Sequence, residues 1–294
     1  MTVFVGDDTV LQFRPASYRL DLRVTSTARH VYGIHAPRTE YIATHPGSGL
    51  LIYKMDKIGG ISFKDLRASC TVPGKSTSIR TKLCRDFAIF LSRSWHGSSI
   101  GCLSLGTVGR SIRPRLMSLC KDLPIRFRAS ARHVLANLHR VEALPWVLTH
   151  GDIVAANIMV DPSSGALTGL VDWAEAEILP FGTCLYGLEE ILGEMTPTGY
   201  QYRPDAEELR HLFWAELRRN IPALRRSHVH EAVKLARDLG VLLWHGIAFD
   251  DGAIDRVVQE GRDVEEIHRL EAFLPVDPSS ELEEPSIRES CAKL

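Results

Sequence analysis

A chain of 294 residues that is 45% hydrophobic and 24% charged can bury a large core, which excludes general disorder. The 35 basic and 36 acidic residues leave a formal net charge of −1, so no global field draws in nucleic acid or an anionic membrane. Six scattered cysteines without a C-x-x-C pair (Cys70, Cys84, Cys102, Cys120, Cys184, Cys291) exclude a disulfide or zinc framework and suit reduced thiols in the cytoplasm.

The start, MTVFVGDDTV, lacks the basic end and apolar core of a signal peptide, and no apolar run nears the roughly 18 residues of a membrane span. Thr2 to Val5 and Thr9 to Arg14 alternate around Gly6-Asp7-Asp8, which predicts a hairpin. Leu20, Leu22, Val24 and Ala28 predict a helix over Ser17 to Tyr32. Tyr41 to Thr44 and Leu50 to Met55 flank His45-Pro46-Gly47-Ser48-Gly49 and predict a second hairpin, followed by a linker from Asp56 to Gly60.

Val72 to Thr77 looks like the end of a phosphate loop, but Ser69 stands where its first glycine is needed and no buried strand precedes it. Gly74-Lys75-Ser76 is therefore expected to be a polar turn capping the next helix. Gly101, Gly106 and Gly109 lack G-x-G-x-x-G spacing and are expected to be flexible connectors. Ile79, Leu83, Phe87, Phe90 and Leu91 predict a helix over Ser78 to Trp95, with a short one from Arg113 to Leu119. Phe127, Ala131, Val134, Leu135 and Leu138 mark another, whose His133 and His139 are expected at the core edge or in water.

Three polar residues then punctuate an apolar stretch from Trp146 to Glu177. Asp152 follows His150-Gly151, Asn157 comes five residues later, and Asp172 closes the second of two apolar runs. The turn cluster Asp161-Pro162-Ser163-Ser164-Gly165 between those runs predicts a hairpin that brings Asn157 beside Asp172. One carboxylate to accept a hydroxyl proton, with an amide oxygen and a second carboxylate for magnesium, is a set suited to phosphoryl transfer. Further helices are expected over Asp205 to Arg219, His228 to Trp244 and Asp263 to Phe273, and an acidic tail over 276–294.

The H-x-D-x-x-x-x-N order with its later Asp resembles the catalytic core of the protein-kinase-like superfamily. Gly151, and D-W in place of D-F-G, resemble its aminoglycoside phosphotransferase and choline kinase branch. VDWAEAEILPFG is similar to filamentous-fungal members. The resemblance implies a two-lobed α+β fold: a reduced N-terminal β lobe over 1–56, a hinge near 54–60, and a mostly helical C-terminal lobe over 57–275. It implies ATP, with GTP as the alternative, and Mg2+ held by Asn157 and Asp172. Asp152 would be the base toward the hydroxyl of a small molecule. His150 is expected to be structural and Trp173 to be packing.

The strand position of the family's phosphate-binding lysine holds Gln12, with Arg14 on the same face as a substitute. The lysine's acidic partner has Asp21 as its nearest candidate, and the hinge position places Lys54 and Met55 near the base. No Asp before Asp205 can anchor the catalytic loop, which leaves Glu189 and Glu190. Glu175 and Glu177 either attract a cationic acceptor or face water. Tyr200, Tyr202, Trp214 and Trp244 either line the acceptor pocket or pack in the core. Two activities stay open, a small-molecule phosphotransferase and a kinase-like protein that binds nucleotide or metabolite without transfer. A protein kinase is the weakest reading, because no D-F-G or A-P-E motif is present.

Overall fold

The computed structural model describes residues 1–69, 73–97, 103–250 and 254–275. Gly101, Cys70, Cys102, Cys291 and the acidic segment 276–294 lie outside the described residues. The first hairpin forms as expected, with β1 (Thr2–Val5) and β2 (Thr9–Arg14) turning through Gly6 at φ 63°. The helix that follows is shorter than its apolar pattern suggests. Ala16–Tyr18 form a 3-10 turn, and α1 (Leu22–Tyr32) begins where Asp21 accepts the Arg23 N–H at 2.9 Å. Asp21 is thus a helix cap, paired with Arg23 at 3.1 Å, rather than the partner of a phosphate-binding cation.

The second hairpin is β3 (Thr39–Thr44) and β4 (Leu51–Asp56), and the antiparallel sheet runs β1-β2-β4-β3. Its register sets Gln12 opposite Tyr53 and Leu11 opposite Lys54. Strand alternation therefore puts Gln12, Arg14, Tyr53 and Met55 on one face and Lys54 on the other. The first face is the inner one, since Tyr53 is buried there and its hydroxyl accepts the Leu20 N–H at 3.2 Å.

Past β5 (Ile61–Ser62) the chain is mainly helical, starting with α2 (Phe63–Ser69) and α3 (Pro73–His96). Because α3 begins at Pro73, a residue suited to a first helical turn, Gly74-Lys75-Ser76 lie inside the helix and not in a turn before it. The next helix, α4 (Thr107–Asp122), starts well before Arg113 and kinks at Ser111 and Pro114. The helix expected through Leu138 is two, α5 (Ile125–Ala136) and α6 (Leu138–Glu142), broken at Asn137.

The predicted central hairpin forms from β7 (Ile158–Val160) and β8 (Leu167–Leu170), between β6 (Trp146–Thr149) and β9 (Glu177–Pro180). After a 3-10 segment at Thr183–Leu188 come α7 (Glu189–Leu192) and the hairpin β10 (Gly193–Thr196) and β11 (Gly199–Tyr202). Then follow α8 (Ala206–Asn220), α9 (Ser227–His245), β12 (Ile247–Asp250), β13 (Ile254–Val257) and α10 (Val264–Phe273). Neither of these late hairpins was expected, since a strand of four residues carries few alternations and gives only a weak signal in the sequence.

This is the expected two-lobed α+β arrangement, a small sheet lobe ahead of a helical one. The helical lobe closes on Leu83 and Phe87 of α3, Leu116 of α4, Phe127 of α5, Phe213 of α8 and Leu239 of α9, all fully buried. Cutting any of these back to Ala would cost about 2–5 kcal/mol. Tyr32 joins the lobes: its ring stacks on Phe90 at 4.4 Å and its hydroxyl donates to the Leu148 carbonyl at 2.8 Å. Among the described residues no helix is long and apolar enough to cross a membrane.

Candidate active site

The register pairs Thr149 with Glu177, so the chain leaves β6 and re-enters β9 at one point, and 150–176 form a closed excursion carrying the three polar residues. Gly151 makes the first bend at φ 79°, where a Cβ would run into the Glu175 carbonyl. His150 is buried, accepts the Asp152 N–H at 3.2 Å on Nδ1, and donates from Nε2 to the Val171 carbonyl at 2.9 Å. Burial lowers its pKa to about 4, so the ring is neutral and pins the loop to the hairpin. Trp173 is buried against it at 4.6 Å and donates to the Leu170 carbonyl at 3.0 Å.

Asn157 ties the polar residues together. Its amide nitrogen donates to the Asp152 carboxylate at 2.9 Å and to the Asp152 carbonyl at 3.0 Å, which leaves the amide oxygen for another partner. Its own carbonyl accepts the Val171 N–H at 3.0 Å, so Asp172 follows directly beside it. Burial pushes the Asp152 carboxyl up to about 6, with help from the charges of Asp172, Glu175 and Glu190 and against the Asn157 hydrogen bond. Asp172 sits at φ 61°, the one positive φ at a non-glycine among the described residues, and is 47% exposed. An uncommon backbone held at such a position is a frequent mark of a functional residue.

Arg14 reaches Asp172 at 3.9 Å and also donates to the Gln12 side chain at 3.2 Å and the Tyr18 carbonyl at 2.9 Å. Gln12 and Arg14 therefore meet the carboxylate end of the site, while the exposed Lys54 side chain points from the opposite face of the sheet. Met55 shares the inner face with Arg14.

The loop that carries Asp152 is anchored from the segment after β9. The Tyr186 hydroxyl accepts the Ile153 N–H at 3.2 Å, and Glu190 accepts the Ala155 N–H at 3.3 Å. Burial raises the Glu190 pKa, opposed first by the Arg269 charge. Glu189 turns away to Arg237 at 2.6 Å, Arg210 at 2.7 Å and the Tyr202 hydroxyl at 2.9 Å. Glu177 is half-buried, and its carboxylate is engaged by the backbone. Its carboxylate accepts the N–H groups of Val108 at 3.1 Å and Gly109 at 2.8 Å, holding the positive end of α4. Gly106 and Gly109 are likewise not connectors. They begin α4 so close to β9 that a Cβ on Gly106 would strike Glu177, and one on Gly109 the Ile178 carbonyl.

Asp152 opens onto a cavity of about 440 Å3 that Glu175, Glu177, Tyr186 and Trp244 also line. Trp244 thus joins the candidate acceptor site. Trp214 and Tyr202 line a separate cavity of about 360 Å3, and Tyr200 packs edge-on against Phe273 at 4.7 Å.

Residues 2–183 match the model of the phosphotransferase enzyme family. The chain belongs to that family. No curated protein sequence matches it. Similar solved structures include aminoglycoside 2'-phosphotransferase-IIIa in complex with GDP, at 12% identity and TM-score 0.48 over 81% of this chain and 88% of that one. Another is aminoglycoside phosphotransferase APH(3'')-Id from Streptomyces rimosus with ADP and streptomycin, at 17% identity and TM-score 0.45 over 79% and 87%. Macrolide 2'-phosphotransferase MphH from Brachybacterium faecium aligns at 15% identity and TM-score 0.48 over 80% and 91%.

In this member of the phosphotransferase enzyme family, the cavity also draws on Tyr18, Arg115 and Tyr186, which the sequence pattern did not flag. Tyr18 sits in a short non-periodic turn and Tyr186 in a run of small residues. Neither has a local signal that separates a pocket residue from any other aromatic.

Proposed function

We propose that the protein transfers the terminal phosphoryl group of ATP, with GTP as the alternative donor, to a hydroxyl group of a small molecule in the cytoplasm. The observation that carries this is the Asp152 carboxylate, half-buried, oriented by Asn157 and open to the 440 Å3 cavity. A hydroxyl seated there would pass its proton to Asp152 as its oxygen forms the new O–P bond. The leaving pair departs on the nucleoside diphosphate. Asn157 keeps the base aimed, and His150, Tyr186 and Glu190 hold the loop that carries it.

Asn157, through its remaining amide oxygen, and Asp172 would hold Mg2+, a neutral and an anionic oxygen donor that fit a hard ion. Among the described residues no group of three or more His, Cys, Asp or Glu could hold a metal, so phosphate and water oxygens would complete that shell. Mg2+ supplies neutralisation of the phosphate charge. Arg14 would stand in for the absent lysine, Gln12 would add a polar contact beside it, and Met55 with the backbone at Lys54 would meet the base. The scattered cysteines, and the fungal-type VDWAEAEILPFG segment, support an intracellular role in handling a small metabolite.

Gln12 in the lysine position favours the second reading, a protein that binds nucleotide or metabolite without transfer. Calorimetry of Mg–ATP and Mg–GTP with the parent chain and Asp172→Ala tests both. Metal-dependent binding lost in Asp172→Ala, with phosphate release or transfer by the parent, supports the phosphotransferase. Binding with no turnover over any hydroxyl compound supports the second reading. No nucleotide binding at all sinks the first.

A further inference from the structure

We infer that the acceptor is an alcohol with a largely apolar, ring-bearing body and at most one positive charge, gripped between Tyr18 of the small lobe and Trp244 of the large one. The inference rests on the proposed reaction for the word acceptor, but its physical content is a statement about the cavity.

Three carboxylates line that cavity, which at first sight suits a polycation. Two of them are already engaged. Asp152 holds the Asn157 amide and is the base, and Glu177 is fixed by the Val108 and Gly109 N–H groups. Arg115 adds an opposing charge on the same wall. Glu175, exposed at the edge, is the carboxylate that remains to meet one cationic or donor group.

The Thr149 and Thr183 hydroxyls on the lining are spent on the Glu177 and Pro180 carbonyls, and most of the remaining surface is apolar. Leu179, Leu243 and Val108 supply aliphatic walls, and Tyr186 stacks on Trp244 at 5.5 Å with ring planes 12° apart. Pockets of about 300–1,000 Å3 built this way bind through apolar area and use a few polar groups for orientation. Tyr18 completes the enclosure from the other lobe. It is 55% exposed, a large aromatic kept at the cavity's edge, and its carbonyl accepts from Arg14, the residue that reaches Asp172. The same turn therefore meets the acceptor with its ring and the phosphate end of the site through its backbone.

The test is calorimetry of two probes, 2-naphthalenemethanol and the polycationic kanamycin, with the parent, Tyr18→Ala, Trp244→Ala and Trp244→Phe. The naphthyl alcohol is expected to bind at least about tenfold more tightly than kanamycin. Tyr18→Ala, a change at an exposed side chain, should weaken it about tenfold without loss of fold. Trp244→Phe should keep most of the affinity that Trp244→Ala loses. Tighter binding of kanamycin, no binding of the naphthyl alcohol, or an affinity that Tyr18→Ala leaves unchanged would each overturn the inference. A parallel Mg–ATP titration separates the two claims. Naphthyl alcohol binding without nucleotide binding removes the phosphotransferase reading and leaves the pocket assignment standing.

Discussion

The guanidinium of Arg14, on the inner face of the small sheet, stands 3.9 Å from the carboxylate of Asp172 at the end of the central hairpin. With Asp172 nearly half exposed, this pair adds about 0–1 kcal/mol to stability, so its importance lies in what it offers a ligand. Arg14→Gln should weaken Mg–ATP binding about ten- to a hundredfold while moving the unfolding midpoint little. Arg14→Lys should recover part of that affinity. Equal affinities for parent and Arg14→Gln in calorimetry would remove Arg14 from the phosphate site.

Asp152→Asn keeps the shape of the proposed base and removes its proton affinity. Turnover should fall by about a hundredfold to ten-thousandfold, with Mg–ATP affinity held within about twofold. Single-turnover transfer assays alongside nucleotide titration read both. Transfer retained within about threefold would mean the proton leaves by another route.

His150 sets a pH dependence of stability. In the unfolded chain it takes a proton near 6.5, whereas in the fold burial holds its pKa at about 4. Protons therefore favour the unfolded state. The stability present above pH 6.5 is lost progressively as pH falls toward 4, by up to roughly 3 kcal/mol. Urea unfolding at a series of pH values should show that slope in the parent and a flatter one in His150→Gln. Parallel slopes would assign the acid sensitivity elsewhere.

Glu177 separates a structural carboxylate from a substrate-binding one. Glu177→Ala strips the acceptor from two N–H groups at the start of α4 and should cost about 1.5–3 kcal/mol in denaturant unfolding. Glu175→Gln should cost almost nothing in stability and act on the affinity of an amine-bearing acceptor. If the stability loss appears in Glu175→Gln instead, the roles are reversed.

The early strands and the central hairpin were legible in the sequence because they rest on local signals, whereas the two-lobed order was implied by the resemblance of the H-x-D-x-x-x-x-N stretch. Alternation marked β1, β2 and β4, and the Asp161–Gly165 turn fixed the register that sets Asn157 beside Val171 and Asp172. What escaped is decided across the fold. Glu177 and Glu175 look alike two residues apart, yet only the approach of α4 distinguishes them. Glu189 and Glu190 are adjacent, and a single step of chain sends the first to three distant partners and the second to the loop that carries Asp152. Apolar spacing could not foresee that Asp21 would start α1 late and leave Tyr18 free at the cavity.

Tyr186 has a consequence for how such a protein can diverge. Its ring forms part of the cavity wall and its hydroxyl holds the Ile153 N–H, one residue after Asp152. Selection for a new acceptor cannot reshape that position without disturbing the loop that carries Asp152. The side chains of Tyr18, Leu179 and Leu243 carry no such double duty in the contacts described above. Diversification among descendants of this chain should concentrate at those three sites, with Tyr186 changing last.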